Sequence, residues 1–419
     1  MKHLLLIAYF YPPLGGPGVQ RPLKLVKYLT EFGWETDVIT VKDIVFHSSD
    51  EELCHEDKAA HVYRIASLDP MSILKKTDVK QSGFSEKIYF KSPEKLKKFF
   101  RNLFPIDDKI GWLPNVIKVG KKLIKQKKYD AVMATMGPYT SGVAAYKLCT
   151  EFGLPLIIDY RDHWTLNRYI FYSSPRLFKH AQKWERKLLQ KASAVSVIGE
   201  LMKNELAEAF GKNLESKITV MYNGWDEADF ENIEKKKTDK ITLRYIGNFY
   251  GNRSPQYFVE ALQKLIDDPA FTTDLQVEFV GNSFQDTLKI FEKVSSYVTI
   301  RSQVNHKKAL EIMMSSDILM IFISTKDGNG VLTGKIFEYI RAQKPILAML
   351  PPQGEAAELL KANGHRHICA MEDVGQIVQN LKNMTEQLQT GKQNRYSCNQ
   401  ELDRRHQTEK FVKFLESRI

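Results

Sequence analysis

The sequence predicts an α/β protein of two doubly wound parallel-sheet domains facing each other across a cleft. Three observations predict it. The chain has 419 residues, more than one hydrophobic core usually organises, so two domains of roughly 200 residues each are expected. Apolar runs of strand length alternate with longer amphipathic segments, the pattern of βαβ units whose parallel strands are covered by helices on both faces. That alternation starts afresh in the second half of the chain.

The first unit opens with a buried-type strand at Leu4 to Tyr9 and the turn Pro12-Pro13-Leu14-Gly15-Gly16-Pro17-Gly18. Leu23, Val26, Tyr28 and Leu29 then predict an amphipathic helix that Gly33 closes, before a second strand at Thr36 to Val41. A strand at Ala131 to Thr135 leads into a helix from about Ser141 to Phe152, and the strand Leu156 to Asp159 runs into Tyr160-Arg161-Asp162-His163-Trp164. A long helix around Lys179 to Lys191 precedes the strand Ala194 to Ile198. The renewed pattern has strands at Thr242 to Ile246, Gln276 to Val280, Ile318 to Ile323 and Pro345 to Met349. These elements predict domains at 1–192 and 193–395, with 396–419 forming a last helix that packs back toward the first domain.

Composition fits a folded enzyme: 43% apolar and 26% charged residues exclude a disordered chain. Met1-Lys2-His3 followed by Leu4 to Ala8 is too short an apolar run for a secretion signal, and no run reaches membrane-spanning length. Cys54, Cys149, Cys369 and Cys398 stand far apart without a Cys-x-x-Cys pair, which fits a reduced, cytoplasmic protein without a zinc site. The net charge of +11 is local: Lys75 to Lys128 holds sixteen Lys and Arg against five Asp and Glu, a surplus equal to that of the whole chain.

In open parallel sheets ligands bind beyond the carboxyl ends of the strands, so the segments that follow each strand are the candidate sites. Asp327-Gly328-Asn329-Gly330 through Gly334-Lys335-Ile336-Phe337-Glu338-Tyr339 opens a helix. Gly334 and the free amides of that helix start suit an anion, Lys335 adds a positive charge, and Glu338 is placed to accept from ribose hydroxyls. It is not a Walker loop, because Asn329 replaces a required glycine and Ile336 stands at the magnesium-binding Ser/Thr position. The plainer alternative is a glycine-rich loop with a surface Lys–Glu pair. Gly247-Asn248-Phe249-Tyr250-Gly251-Asn252-Arg253 likewise joins a strand to a helix, and Arg253 there either holds a phosphate or is an ordinary loop arginine.

In the first half, Gly15, Gly16 and Gly18 do not follow the Gly-x-Gly-x-x-Gly spacing, so NAD binding is not supported and a tight turn is the alternative. Asp162 ends a strand where it can orient a sugar hydroxyl, accept its proton or cap a helix, and His163 can donate to it or be structural. No Asp-x-Asp triplet and no His/Cys/carboxylate cluster with metal-ligand spacing occurs. Cationic side chains and helix dipoles are therefore the expected means of stabilising a departing diphosphate, with no metal and no cofactor.

Together these segments resemble the group 1, or family 4, glycosyltransferases of the GT-B fold. Val220-Met221-Tyr222-Asn223-Gly224-Trp225-Asp226 with Phe230 is similar to the family's Asn-Gly-x-Asp segment after the first strand of the donor domain. Gly247 through Ala261 resembles its phosphate loop, and Gly334 to Tyr339 with Lys344-Pro345-Ile346 its nucleotide-binding helix and following strand. Pro12-Pro13, Gly15-Gly16 and Asp159 to Trp164 resemble a subgroup found in surface-polysaccharide synthesis.

The resemblance implies two facing Rossmann-like domains and retaining transfer from a nucleoside-diphosphate sugar to a glycan or lipid-linked acceptor. It implies Arg253 on the donor diphosphate, Glu338 on the ribose, Gly16 beside the transferring sugar and Lys335 as an added phosphate contact. The chain departs from the pattern in three places: Asn248 where many members carry a second phosphate-binding arginine, Gly330 at the first glutamate of a Glu-x7-Glu pair, and Arg161 where many relatives place a catalytic histidine.

Ser92-Pro93-Glu94 predicts the start of a helix in which Leu96, Phe99, Phe100, Leu103 and Phe104 share a spacing and Lys95, Lys97, Lys98 and Arg101 lie on other faces. Such a helix can lie on the inner face of an anionic membrane, extending a contact over 92–128, or can bury its aromatics and solvate its lysines. Nucleic acid is not an expected partner, since no recognition module accompanies the charge. Two rival functions are a sugar-nucleotide epimerase of the same fold, which needs paired carboxylates and no acceptor, and a non-catalytic sugar-nucleotide-binding partner of a glycan synthase.

Overall fold

The structure is a computed structural model. The structure describes all residues except 43, 45, 47–49, 70–71, 73–103, 105, 169, 236–237, 250, 282–284, 327 and 393–394, together with the side chains of Pro17 and 285–288. The chain forms two compact units, one comprising Met1–Tyr222 with Arg404–Ile419 and the other Asn223–Asp403.

The first unit is built on a seven-stranded sheet. Its strands are β1 (Lys2–Ile7), β2 (Trp34–Val41), β3 (His61–Ile65), β4 (Ala131–Met136), β5 (Leu156–Tyr160), β6 (Ala194–Val197) and β7 (Ile218–Val220). They are ordered β3-β2-β1-β4-β5-β6-β7 and every pairing is parallel. The direction of winding reverses between β1 and β4, and there the loops beyond the strand ends diverge and leave room for a ligand.

Strand periodicity places the core on both faces. Leu5 and Ile7 join one buried cluster while Leu4 and Leu6 join another. Helices α1 (Pro17–Glu31) and α11 (Arg404–Glu416) close the second cluster with Val19, Leu23, Val26, Phe411, Val412 and Leu415. The opposite face is covered by α2 (Leu113–Gln126), α3 (Thr140–Phe152), α4 (Pro175–Lys191) and α5 (Glu200–Phe210). The side chains of Arg21 on α1 and Asp159 on β5 are 5% and 1% exposed and form a fork, with Nε 3.0 Å from both carboxylate oxygens and one terminal nitrogen 2.7 Å from Oδ1. The Ser196 hydroxyl donates to the same carboxylate at 2.7 Å, and Arg21 also donates to the Met221 carbonyl at 2.9 Å.

The second unit carries a six-stranded sheet of β8 (Ile241–Ile246), β9 (Leu275–Val280), β10 (Val298–Arg301), β11 (Ile318–Phe322), β12 (Ile346–Met349) and β13 (Ile368–Cys369). The order is β10-β9-β8-β11-β12-β13, again with parallel pairings. The switch in winding lies between β8 and β11. Helices α6 (Gln256–Ile266) and α10 (Val374–Gln389) cover one face through Phe258, Leu262, Ile377 and Leu381. The remaining helices are α7 (His306–Met314), α8 (Gly334–Ala342) and α9 (Glu355–Ala362).

The boundary expected at 192/193 falls instead after Tyr222. Strands β6 and β7 pair onto β5 and extend the first sheet, so the βα repetition crosses residue 193 without a break. For the same reason the Asn223-Gly224-Trp225-Asp226 segment follows the last strand of the first sheet, not the first strand of the second. Of the helix predicted over Ser92 to Phe104, every residue but Phe104 lies outside the described residues. The described end of the basic stretch, α2, buries Val116, Gly120 and Leu123 and turns Lys118, Lys122 and Lys125 to solvent. Among the described residues no helix is long and apolar enough to cross a membrane. All four cysteines are free.

Candidate active site

The residues singled out from the sequence form two groups, one in each unit. In the second unit, β8 ends at Ile246 and the chain turns at Gly247 with φ 144°, a conformation that side chains with a Cβ rarely adopt. A Cβ on Gly247 would collide with the end of the Lys335 side chain. Lys335 arrives there from the first turn of α8, lying over the Tyr245 ring at 5.2 Å. The strand-to-helix loop after β8 and the helix start after β11 therefore meet at the switch point, held by a cation over an aromatic face.

Burial, and after it the charge of Arg253, lower the Lys335 pKa to about 8 against the opposing pull of Glu338. The group is an ammonium held in an unfavourable place beside a second cation, which a phosphate would relieve. The Thr333 side chain makes no capping hydrogen bond at the start of α8, and a Cβ on Gly334 would meet nothing within 4 Å, so the helix start opens onto free space. Asn248 is fixed through its carbonyl, which accepts from the Tyr245 hydroxyl at 3.1 Å. Glu338, three residues beyond Lys335, pairs through Oε1 with Nε2 of His306 at 2.9 Å. His306 is the functional candidate that sequence reasoning passed over. It starts the helix after β10, and applying the strand-end rule to that short edge strand would have reached it.

Because Gly247 lies at positive φ and its missing Cβ makes room for Lys335, Gly247→Ala is expected to destabilise the protein by about 1–3 kcal/mol. It should also displace the ammonium, measured as a lower unfolding midpoint together with weaker nucleoside diphosphate binding.

In the first unit Gly15 is buried and Gly16, at φ 89°, precedes α1. Arg161 donates to the Gly18 carbonyl at 2.8 Å, to the Met136 carbonyl at 3.1 Å and to the Gly137 carbonyl. It thereby ties the loops after β1, β4 and β5 together at the switch point, and a Cβ on Gly18 would sit 2.5 Å from its guanidinium. Asp162 is exposed by area, yet its low-dielectric surroundings raise its pKa above the ordinary carboxylate value against the lowering by Arg161 and His163. His163 pairs through Nε2 with Glu205 of α5 at 2.7 Å, and its backbone carbonyl accepts from Tyr139 at 2.7 Å. Tyr139 stacks on Trp164 with centroids 4.8 Å apart.

Two parallel, doubly wound sheets place the chain in the GT-B fold class, and solved structures agree along the whole length. A glycosyltransferase from Rickettsia africae is 15% identical with a TM-score of 0.60, the match covering 100% of this chain and 94% of that one. HepE of Anabaena, solved with UDP-glucose, is 14% identical with a TM-score of 0.60 and full coverage of both. A UDP-GlcNAc 2-epimerase from Neisseria meningitidis bound to UDP-GlcNAc is 14% identical with a TM-score of 0.54, covering 100% of both chains. Residues 22–229 match the family model for Glycosyltransferase Family 4, so this span carries a domain of that family. The matched span lies mainly in the first unit, whereas the sharper motifs read from the sequence lie in the second. Comparison with curated proteins gives no match.

Proposed function

We propose that the protein is a retaining glycosyltransferase that takes a sugar from a nucleoside diphosphate and delivers it to a polysaccharide or lipid-linked glycan in surface-polysaccharide synthesis. The observation that carries the donor half of this reading is Lys335, a half-buried ammonium beside Arg253 at the uncapped start of α8. Arg253, Lys335 and the α8 amides would bind the diphosphate, with Asn248 and Gly334 lining it and Glu338 accepting from the ribose. Lys335 thus supplies the second cation that Asn248 lacks.

In the proposed reaction the acceptor hydroxyl attacks the anomeric carbon from the side the diphosphate leaves. Negative charge growing on the departing phosphate is met by cations and dipoles already in place, and that phosphate takes the acceptor proton. In the first unit, Gly15 and Gly16 would lie beside the sugar, Asp162 would orient a hydroxyl with His163 next to it, and Arg161 would hold the loops that carry them. No metal or cofactor is assigned a role. The fold is shared with epimerases, so the choice of transfer over epimerisation rests on the family match.

The first test is thermal unfolding with UDP, GDP and ADP. One of them at 100 times its Kd should stabilise the protein by about 2.7 kcal/mol, and Arg253→Ala or Glu338→Ala should remove most of the shift. No shift with any nucleotide would overturn the donor-site reading. Sugar nucleotides should then release diphosphate only when a glycan acceptor is added; release or isomerisation without acceptor would favour the epimerase.

A further inference from the structure

We propose that His306 is a positioning residue of the donor site, fixing the Glu338 carboxylate in the orientation in which it receives the ribose hydroxyls; this rests on the donor-site reading above. Glu338 stands on the second turn of α8, with a side chain that can adopt several rotamers. In the structure one orientation is selected by the 2.9 Å contact from Nε2 of His306 to Oε1, with the two side chains 26% and 19% exposed. A carboxylate only accepts, so Nε2 carries the proton in this contact. Each carboxylate oxygen has two lone pairs, so acceptance from His306 leaves capacity for hydroxyl donors.

The mount of His306 is rigid. It is the first residue of α7, and the preceding Asn305 caps that helix by accepting from the Lys308 amide at 2.9 Å. On its other side, Nδ1 lies 3.9 Å from the Asp229 carboxylate. Asp229 belongs to the turn Glu227–Phe230, which is docked on α8 by the Glu227–Arg341 ion pair and by Arg341 over the Phe230 ring at 5.0 Å. The imidazole thus sits between two carboxylates, one on the docked turn and one on the nucleotide helix. Lys335 lies one turn before Glu338, and its charge attracts the same carboxylate. His306 supplies the opposing hydrogen bond.

The test titrates UDP, GDP and ADP, and their 2′,3′-dideoxy counterparts, into the wild-type protein and into His306→Ala, His306→Gln, Glu338→Ala and the double variant His306→Ala with Glu338→Ala. Losing a hydrogen bond that orients a charged acceptor should weaken the ribonucleotide about tenfold in His306→Ala. His306→Gln, whose amide can donate to the same oxygen, should recover most of that loss. The dideoxy nucleotides should bind His306→Ala as they bind wild type, and the double variant should be no weaker than Glu338→Ala. Unchanged ribonucleotide binding in His306→Ala, or an equal loss with the dideoxy series, would overturn the proposal while leaving the donor site standing. Absence of any binding to wild type would instead sink the donor-site reading, and this one with it.

Discussion

Lys335→Met is expected to stabilise the ligand-free protein while weakening nucleoside diphosphate binding by about ten- to a hundredfold. Both effects have one cause. The folded environment lowers the Lys335 pKa from 10.5 to about 8, so between those values the unfolded chain binds more protons than the folded one. Stability should therefore rise with pH through that window, and below about 8 the full cost of burying the ammonium is present. Discounted for the water contact the side chain keeps, that cost is on the order of 1–2 kcal/mol, and methionine removes it. A bound diphosphate favours the ammonium, so wild-type affinity should fall as pH rises through about 8 and the Met variant should be flatter. Titrations between roughly pH 6.5 and 9.5, with unfolding curves at the same values, check both. A Met variant that is less stable and binds as well as wild type would show that Lys335 is structural.

Arg21→Met should be the most damaging single change in the first unit. It leaves Asp159 buried with the Ser196 hydroxyl as its remaining named partner, and breaking a buried pair by removing one member costs about 3–5 kcal/mol. Burial alone would raise the Asp159 pKa, but Arg21, with help from Ser196 and Arg161, outweighs it and holds the carboxyl below its ordinary value. The pair's contribution is thus present above the ordinary carboxylate range and is lost as pH falls through the folded value. In Arg21→Met the stranded carboxyl can protonate, so the deficit should shrink as pH is lowered. Replacing both residues, Arg21→Met with Asp159→Leu, should recover much of the loss. Denaturant unfolding at neutral and acidic pH measures these differences, and a single variant within about 0.5 kcal/mol of wild type would refute the account.

The long central strands were legible because burial on both faces writes them as continuous apolar runs: Leu4 to Ile7, Ala131 to Ala134 and Ile318 to Phe322 show this directly. The edge strands β3, β7, β10 and β13 were not read as strands. With five, three, four and two residues they are too short for a period to develop, and their pairing is set by tertiary contacts. The loops at both switch points were identifiable by position and glycine content. What the sequence hid is how their side chains are used. Arg161 serves three backbone carbonyls, and Glu338 is engaged by a histidine from a distant helix. Such partnerships join residues far apart in the chain, and no local pattern announces them.

The first unit is discontinuous: its fold is completed by α11, which arrives only after the whole second unit has been threaded. During synthesis the nascent first unit must wait with the α1 face of its core uncovered, because Phe411, Val412 and Leu415 emerge last at about 5–20 residues per second. The second unit, contiguous in sequence, can mature earlier. A vectorial folding order in which the later-made unit closes first is the consequence.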